Sequence, residues 1–237
     1  MMLFSSKYLI RKPIKMIICD MAGTTINEGG IVYKILYETI KKNNIKIEKN
    51  EMKNWYGINK TEVLNHFIER DNKIINKRKM VRNLLEEFKI NIQNNYYNAN
   101  VNLIHPNLPD LFNNFRENDI KIALNSGFSV DIQEHLINEL KMNDFIDDYI
   151  SSEEVRHGRP EPFMIKELMK RNGINNPNEV IKIGDSVNDI KEGINAKCAH
   201  SIGVLSGAEN EKNLNNAGAD IILNSVMDLE LASKYLF

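Results

Sequence analysis

Residues 14–20, Ile-Lys-Met-Ile-Ile-Cys-Asp, form an apolar run that ends on a carboxylate and passes at once into Met21-Ala22-Gly23-Thr24-Thr25. A run this short and this apolar, bounded by a small-residue turn, reads as a strand buried on both faces. Such a strand needs neighbours on both sides and helices above and below. It also places Asp20 at a strand's carboxyl end, where doubly wound α/β sheets bind their ligands. Further strands are expected at 120–125, 179–184, 199–205 and 220–223, with helices at about 106–118, 129–141, 161–172, 188–196, 209–216 and 226–235. This alternation predicts an α/β fold: a Rossmann-like, doubly wound parallel sheet covered on both faces.

The alternation is interrupted once. Ile31, Ile35, Leu36 and Ile40 share a face at helical spacing, as do Val63, Leu64, Phe67 and Ile68, and then Met80, Leu84, Leu85, Phe88 and Ile92. Nothing strand-like separates these stripes. The expected organisation is therefore a core built from 1–27 and 101–237, with an all-helical cap domain, 28–100, inserted after the first strand.

Charge and cysteine usage exclude several function classes. With 31 basic and 32 acidic residues the chain offers no electrostatic case for nucleic acid or an anionic membrane as partner. No apolar run approaches the roughly 18 residues of a membrane span. Cys19 and Cys198 lie in apolar strand-like contexts and are expected to be reduced, which suits a cytoplasmic protein. Met1 to Lys15 carries Lys7, Arg11, Lys12 and Lys15 and no acid; it reads as a loosely ordered extension, with a weak organelle-targeting segment as the alternative.

Four strand ends or turns carry polar residues whose chemistry belongs together. Asp20 is the first. In Asn125-Ser126-Gly127, a hydroxyl and backbone N–H groups at a strand-to-helix turn suit phosphate oxygens. In Gly158-Arg159-Pro160, an arginine before a proline-started helix offers a fixed fork to a phosphoryl group. In Gly184-Asp185-Ser186-Val187-Asn188-Asp189, two carboxylates four residues apart suit Mg²⁺. Thr24 is expected to donate its hydroxyl to Asp20 or to a phosphoryl oxygen. Trp55 and Tyr56 flank a loop in the helical region, where they either line an entrance or pack between helices. Of the histidines, only His157 falls near the motifs.

In this order, these motifs resemble the haloacid dehalogenase superfamily of phosphotransfer hydrolases, and the resemblance covers nearly the whole chain from Met16. It implies that Asp20 attacks phosphorus and becomes an aspartyl phosphate. It further implies Mg²⁺ held by Asp20, the Ala22 carbonyl and Asp185 with Asp189 in support, and phosphoryl oxygens held by Ser126, Gly127 and Arg159.

Ala22 narrows the branch. Phosphatases of the superfamily carry a second aspartate two residues after the nucleophile to protonate a departing alkoxide, help worth about 10²–10⁴-fold that a methyl group cannot give. Asp20-Met21-Ala22-Gly23-Thr24-Thr25 is similar to the phosphonoacetaldehyde hydrolase branch, whose substrate loses carbon rather than alkoxide. Cleaving that bond needs an electron sink, which a protonated lysine imine supplies. Gly57-Ile58-Asn59-Lys60 is similar to the branch's Gly-x-x-Lys segment, which implies a Schiff base at Lys60. Three departures stand beside it: Val63 replaces a histidine, Gly29-Gly30 a cysteine, and Tyr56 a methionine. The expected substrate is a small phosphonate or phosphorylated metabolite. The resemblance also implies a homodimer formed through the cap. Two other readings stay open: a small-metabolite phosphatase of the phosphoglycolate phosphatase type, and a non-catalytic protein binding phosphate or a partner.

Overall fold

The computed structural model describes residues 13–48, 50–96 and 101–236. The basic stretch up to Lys12 lies outside the described residues. In chain order the elements begin with β1 (Met16–Asp20), β2 (Ile26–Asn27), α1 (Ile31–Lys42), α2 (Lys60–Glu69), α3 (Lys77–Tyr96) and β3 (Asn102–Leu103). There follow α4 (Leu108–Glu117), β4 (Lys121–Ser126), α5 (Val130–Glu139), β5 (Asp148–Ser151), α6 (Phe163–Arg171) and β6 (Val180–Gly184). The chain closes with α7 (Val187–Ala196), β7 (His200–Val204), α8 (Glu211–Ala217), β8 (Ile221–Leu223) and α9 (Leu229–Leu236).

Six strands form one parallel sheet in the order β5-β4-β1-β6-β7-β8, with β1 paired to β4 on one side and β6 on the other. Period-two alternation divides each inner strand between two cores. Ile17 and Cys19 join Ile122, Leu124, Ile181 and Ile183 beneath α4 and α5, whose Phe112 and Leu136 are buried there. Met16 and Ile18 face the opposite way, onto Ala123, Ile150 and Met164, Ile165 and Leu168 of α6. The doubly wound α/β core expected from the alternation is what the chain forms. Cys19 is buried and, like Cys198, unbridged.

One core strand, β5, lacks any signal in the sequence. Its four residues, Asp-Tyr-Ile-Ser, sit at the sheet edge with only Ile150 and Ser151 buried, so it has no apolar run to betray it. It carries the chain to the loop that holds Arg159.

The helices α1–α3 occupy the region between β2 and β3. Helix α3 lies against both α1 and α2, and the predicted stripes are its packing faces: Leu36 and Ile40, Val63 and Phe67, Leu84, Phe88 and Ile92 are all buried. β2 and β3 pair antiparallel, Ile26 opposite Leu103, so the chain leaves and re-enters the sheet side by side. This two-residue ladder was not foreseen in a stretch expected to be helix and loop. Among the described residues no helix is long and apolar enough to cross a membrane.

Candidate active site

β1 ends in the middle of the sheet, so the carboxylate it carries is drawn into the interior while the turn after it opens to the surface. Asp20 is buried, and Thr25 anchors the turn by donating its hydroxyl to the Asp20 carbonyl at 3.0 Å. Asp20, Ala22, Lys60, Ser126, Gly127, Arg159 and Asp185 line one small cavity of about 20 Å³, with Tyr33, Tyr56 and Phe128 on its apolar side. Four stretches distant in sequence therefore meet around Asp20.

The arginine is used differently from the expectation. Its Nε reaches Glu192 at 3.1 Å and Asp189 at 3.2 Å, and one terminal nitrogen takes the Asn125 carbonyl and side-chain oxygen at 2.8 and 2.7 Å. The other lies 2.7 Å from Asp20 Oδ1. The fork predicted to face a phosphoryl group is thus turned onto the protein, where it fixes Asp20. Lys182 adds a second buried cation, 2.8 Å from both Asp189 Oδ1 and Asn125 Oδ1. Asn125 completes the network by donating to both Glu192 oxygens at 3.0 and 2.9 Å.

Asn125 entered the sequence reading only as the first residue of its Asn-Ser-Gly motif, and Lys182 and Glu192 were not singled out, although both left a trace. Lys182 is a charge in the middle of Val-Ile-Lys-Ile, where a solvated lysine has no place. Glu192 follows Asp189 by three residues and so shares its helix face.

Asp20, Asp185 and Asp189 bring carboxylate oxygens within 4.8 Å of one another, all buried. Burial pushes Asp20 up to about 6 against the pull of Arg159, with Asp189 adding repulsion. Burial and the charges of Asp20 and Asp189 hold Asp185 well above the usual carboxylate range. Two buried carboxylates held together above their ordinary range, with only Arg159 on one of them, are a donor set that fits a hard divalent ion. Asp189 differs. Burial opposes its ionisation, yet Arg159 and Lys182 keep it below the ordinary value, and Ser186 binds its second oxygen in the box that starts α7. It stands behind the other two, committed to the protein's own cations. Asp185 Oδ2 takes the Ala208 N–H at 2.7 Å, and Gly23 passes it so closely, at φ +79°, that a Cβ there would lie 2.6 Å away.

Lys60 comes from the helical region. Asn59 accepts the Thr61 N–H at 2.8 Å, capping α2 so that Lys60 is its first residue. Its ammonium donates to the Ile58 carbonyl at 3.0 Å and lies 4.9 Å from the centre of the Tyr33 ring. Only 6% exposed, it is lowered from 10.5 to about 8, chiefly by burial and next by Arg159. The loop before it is pinned at three points: Tyr33 OH accepts the Gly57 N–H, Asn188 donates to the Tyr56 carbonyl at 2.7 Å, and Asn59 donates to Ser152 at 3.0 Å.

Thr24 is not on the cavity wall. Its side chain is fully buried, and its hydroxyl has no hydrogen-bond partner among the described residues; Thr25 makes the contact instead. His157 is exposed and faces Phe163. Trp55 packs on His66 and Phe67, whereas Tyr56 lies tilted against Tyr33, ring centres 4.2 Å apart, and does line the cavity.

A phosphonoacetaldehyde hydrolase of Parabacteroides distasonis is 35% identical over 94 residues, which cover 39% of this chain and 35% of that one. One of Bacillus cereus is 26% identical over 204 residues, covering 82% and 77%. A crystal structure of a phosphonoacetaldehyde hydrolase-like protein from Oleispira antarctica superposes with a TM-score of 0.82 at 20% identity, covering 95% of this chain and 93% of that one; at that identity the likeness is one of fold. The family model for haloacid dehalogenase-like hydrolases matches residues 17–204, the span that holds Asp20, Lys60, Arg159 and Asp185, and the chain belongs to that family of enzymes.

Proposed function

We propose that the protein is a Mg²⁺-dependent hydrolase that cleaves the carbon–phosphorus bond of phosphonoacetaldehyde or a similar small phosphonate. The observation that carries this reading is that Lys60 and Asp20 line one cavity in which Ala22 offers no proton donor. A buried amine held near 8 is partly neutral at physiological pH, which is the form that attacks an aldehyde. The curated relatives named phosphonoacetaldehyde hydrolase support the same branch.

Lys60 Nζ bonds to the aldehyde carbon, water leaves, and a protonated imine results. Asp20, oriented by Arg159, attacks phosphorus. The electrons of the carbon–phosphorus bond move into the imine, giving an enamine on Lys60 and an aspartyl phosphate on Asp20. Protonation of the enamine at carbon and hydrolysis of both adducts release acetaldehyde and phosphate. Asp20, the Ala22 carbonyl and Asp185, backed by Asp189, would hold Mg²⁺, which when bound offsets the negative charge of the phosphonyl oxygens. Ser126 and Gly127, on the same wall, serve those oxygens in this reading.

Borohydride added during turnover of phosphonoacetaldehyde should reduce the imine and leave a stable two-carbon adduct on Lys60, detected by peptide mass. Absence of any adduct together with turnover of phosphate esters would instead identify a small-metabolite phosphatase.

A further inference from the structure

Imine formation does not end with the attack of the amine. The hydroxyl of the carbinolamine leaves as water only when a group beside it gives a proton, and the same group must take one back later. Most titratable groups around Lys60 are unsuited to this. Asp20 is the nucleophile, Asp185 belongs to the cation site, and every donor of Arg159 is directed at the protein. Tyr33 already accepts the Gly57 N–H, and burial holds both its phenol and that of Tyr56 above the ordinary range.

Glu28 remains. It stands in the turn between β2 and α1, only 9% exposed, with Oε2 accepting the Val32 N–H at 3.0 Å. It lines a pocket of about 300 Å³ that opens next to the nucleophile's cavity and shares Ala22, Tyr33, Tyr56, Asp185 and Ala208 with it. The charge of each of Glu28 and Lys60 favours the ionised form of the other. Burial raises Glu28 above the ordinary carboxylate value, so it holds a proton closer to neutrality than a surface glutamate does.

We propose that Glu28 is the acid–base partner of Lys60, carrying the proton that turns the carbinolamine into the imine. This rests on the lysine reading given above. In the step, the Glu28 carboxyl proton passes to the carbinolamine hydroxyl, the carbon–oxygen bond breaks, water departs, and the nitrogen lone pair closes the C=N bond. The carboxylate that is left then deprotonates the water that later returns to the imine carbon after the enamine has been protonated.

The structure also gives Glu28 a plainer use, as an acceptor at the start of α1, and a negative charge beside Lys60. The two uses predict opposite results. Glu28→Gln keeps an oxygen for the Val32 N–H but cannot give the proton. If Glu28 acts only through its charge, its loss leaves more of Lys60 neutral, and the amine adds faster. If it carries the proton, adduct formation slows by about 100-fold.

The experiment mixes the full-length protein with phosphonoacetaldehyde, quenches with borohydride at successive times, and follows the adduct on Lys60 by mass. The expected result is an adduct in the unmodified protein, a slowing of about 100-fold in Glu28→Gln, and partial recovery in Glu28→Ala on adding formate, a small acid able to occupy the vacated space. Adduct formation in Glu28→Gln at the original rate or faster overturns this proposal alone. No adduct in the unmodified protein overturns the lysine reading and this proposal with it.

Discussion

Lys60 illustrates how a single burial sets both reactivity and stability. In the folded protein its ammonium is lowered from 10.5 to about 8, so between those values the unfolded chain binds the proton that the folded one has lost. Stability therefore rises with pH across this window, and below about 8 the fold bears a penalty of about 3 kcal/mol for keeping the charge buried. Lys60→Met should raise the urea midpoint at pH 7, with the gain shrinking as pH climbs from about 8 towards 10.5, while the borohydride adduct disappears. A midpoint unchanged at pH 7 would show that Lys60 is not desolvated in solution. Asp20, Asp185 and Asp189 stood out in the sequence because each follows a strand-like run, and Lys60 through the resemblance of its Gly-x-x-Lys segment. Lys182 and Glu192 did not, because a charge in a strand or on a helix face reveals its partners only once the sheet is assembled. Arg159 was seen, but its direction was not, since four of its acceptors come from Asp20, Asn125, Asp189 and Glu192 on three other elements.

Elements place these side chains by close backbone approach. Gly127, at the turn from β4 to α5, packs against the loop that leads into α2, and a Cβ on it would lie 2.8 Å from the Gly57 carbonyl oxygen and 3.0 Å from that of Ile58. Neither is the flexible end of a side chain, so the loop must move. Gly127→Ala is expected to shift Lys60 away from Asp20 and to slow adduct formation by about 100-fold, the size of effect a 1 Å misplacement produces. The change in unfolding midpoint should stay small, because the sheet and its two cores are untouched. Equal loss of both would mean that the contact serves the fold rather than the site. The long β1, β4 and β6 and the amphipathic helices were readable from periodicity. The short β5, β2 and β3 were not, because, unlike the Ile-Ile-Leu of β8, their two to four residues form no apolar run and owe their shape to pairing with other strands.

For the molecule as a whole, the cavity around Asp20 has room for about one water. A substrate enters only if the helices over it move, and we propose on this ground that residues 28–100 act as a cap on the sheet core. In the proposed reading the paired carboxylates would also tie folding to a cation. Mg²⁺ that binds the folded state alone raises the unfolding temperature by mass action. That rise should vanish in Asp185→Asn, and a chelator should abolish turnover until Mg²⁺ is returned. An unfolding temperature indifferent to Mg²⁺ would remove the metal assignment.

Lys60 was singled out through the resemblance of its Gly-x-x-Lys segment; local chemistry and periodicity were enough for the α/β alternation, the helical interruption after the first strand, and the setting of Asp20 and Asp185 after strands. These are properties that neighbouring residues impose on one another through backbone geometry and the burial of apolar faces. Long-range assembly alone settled that Arg159 turns inward onto Asp20, that Lys182, Asn125 and Glu192 brace it, that Thr25 rather than Thr24 holds the turn after Asp20, and that Glu28 lies in the pocket adjoining the cavity of Lys60. Hydrogen bonds and ion pairs between buried groups depend on which elements are adjacent, and adjacency is created by the sheet order, which no window of sequence contains.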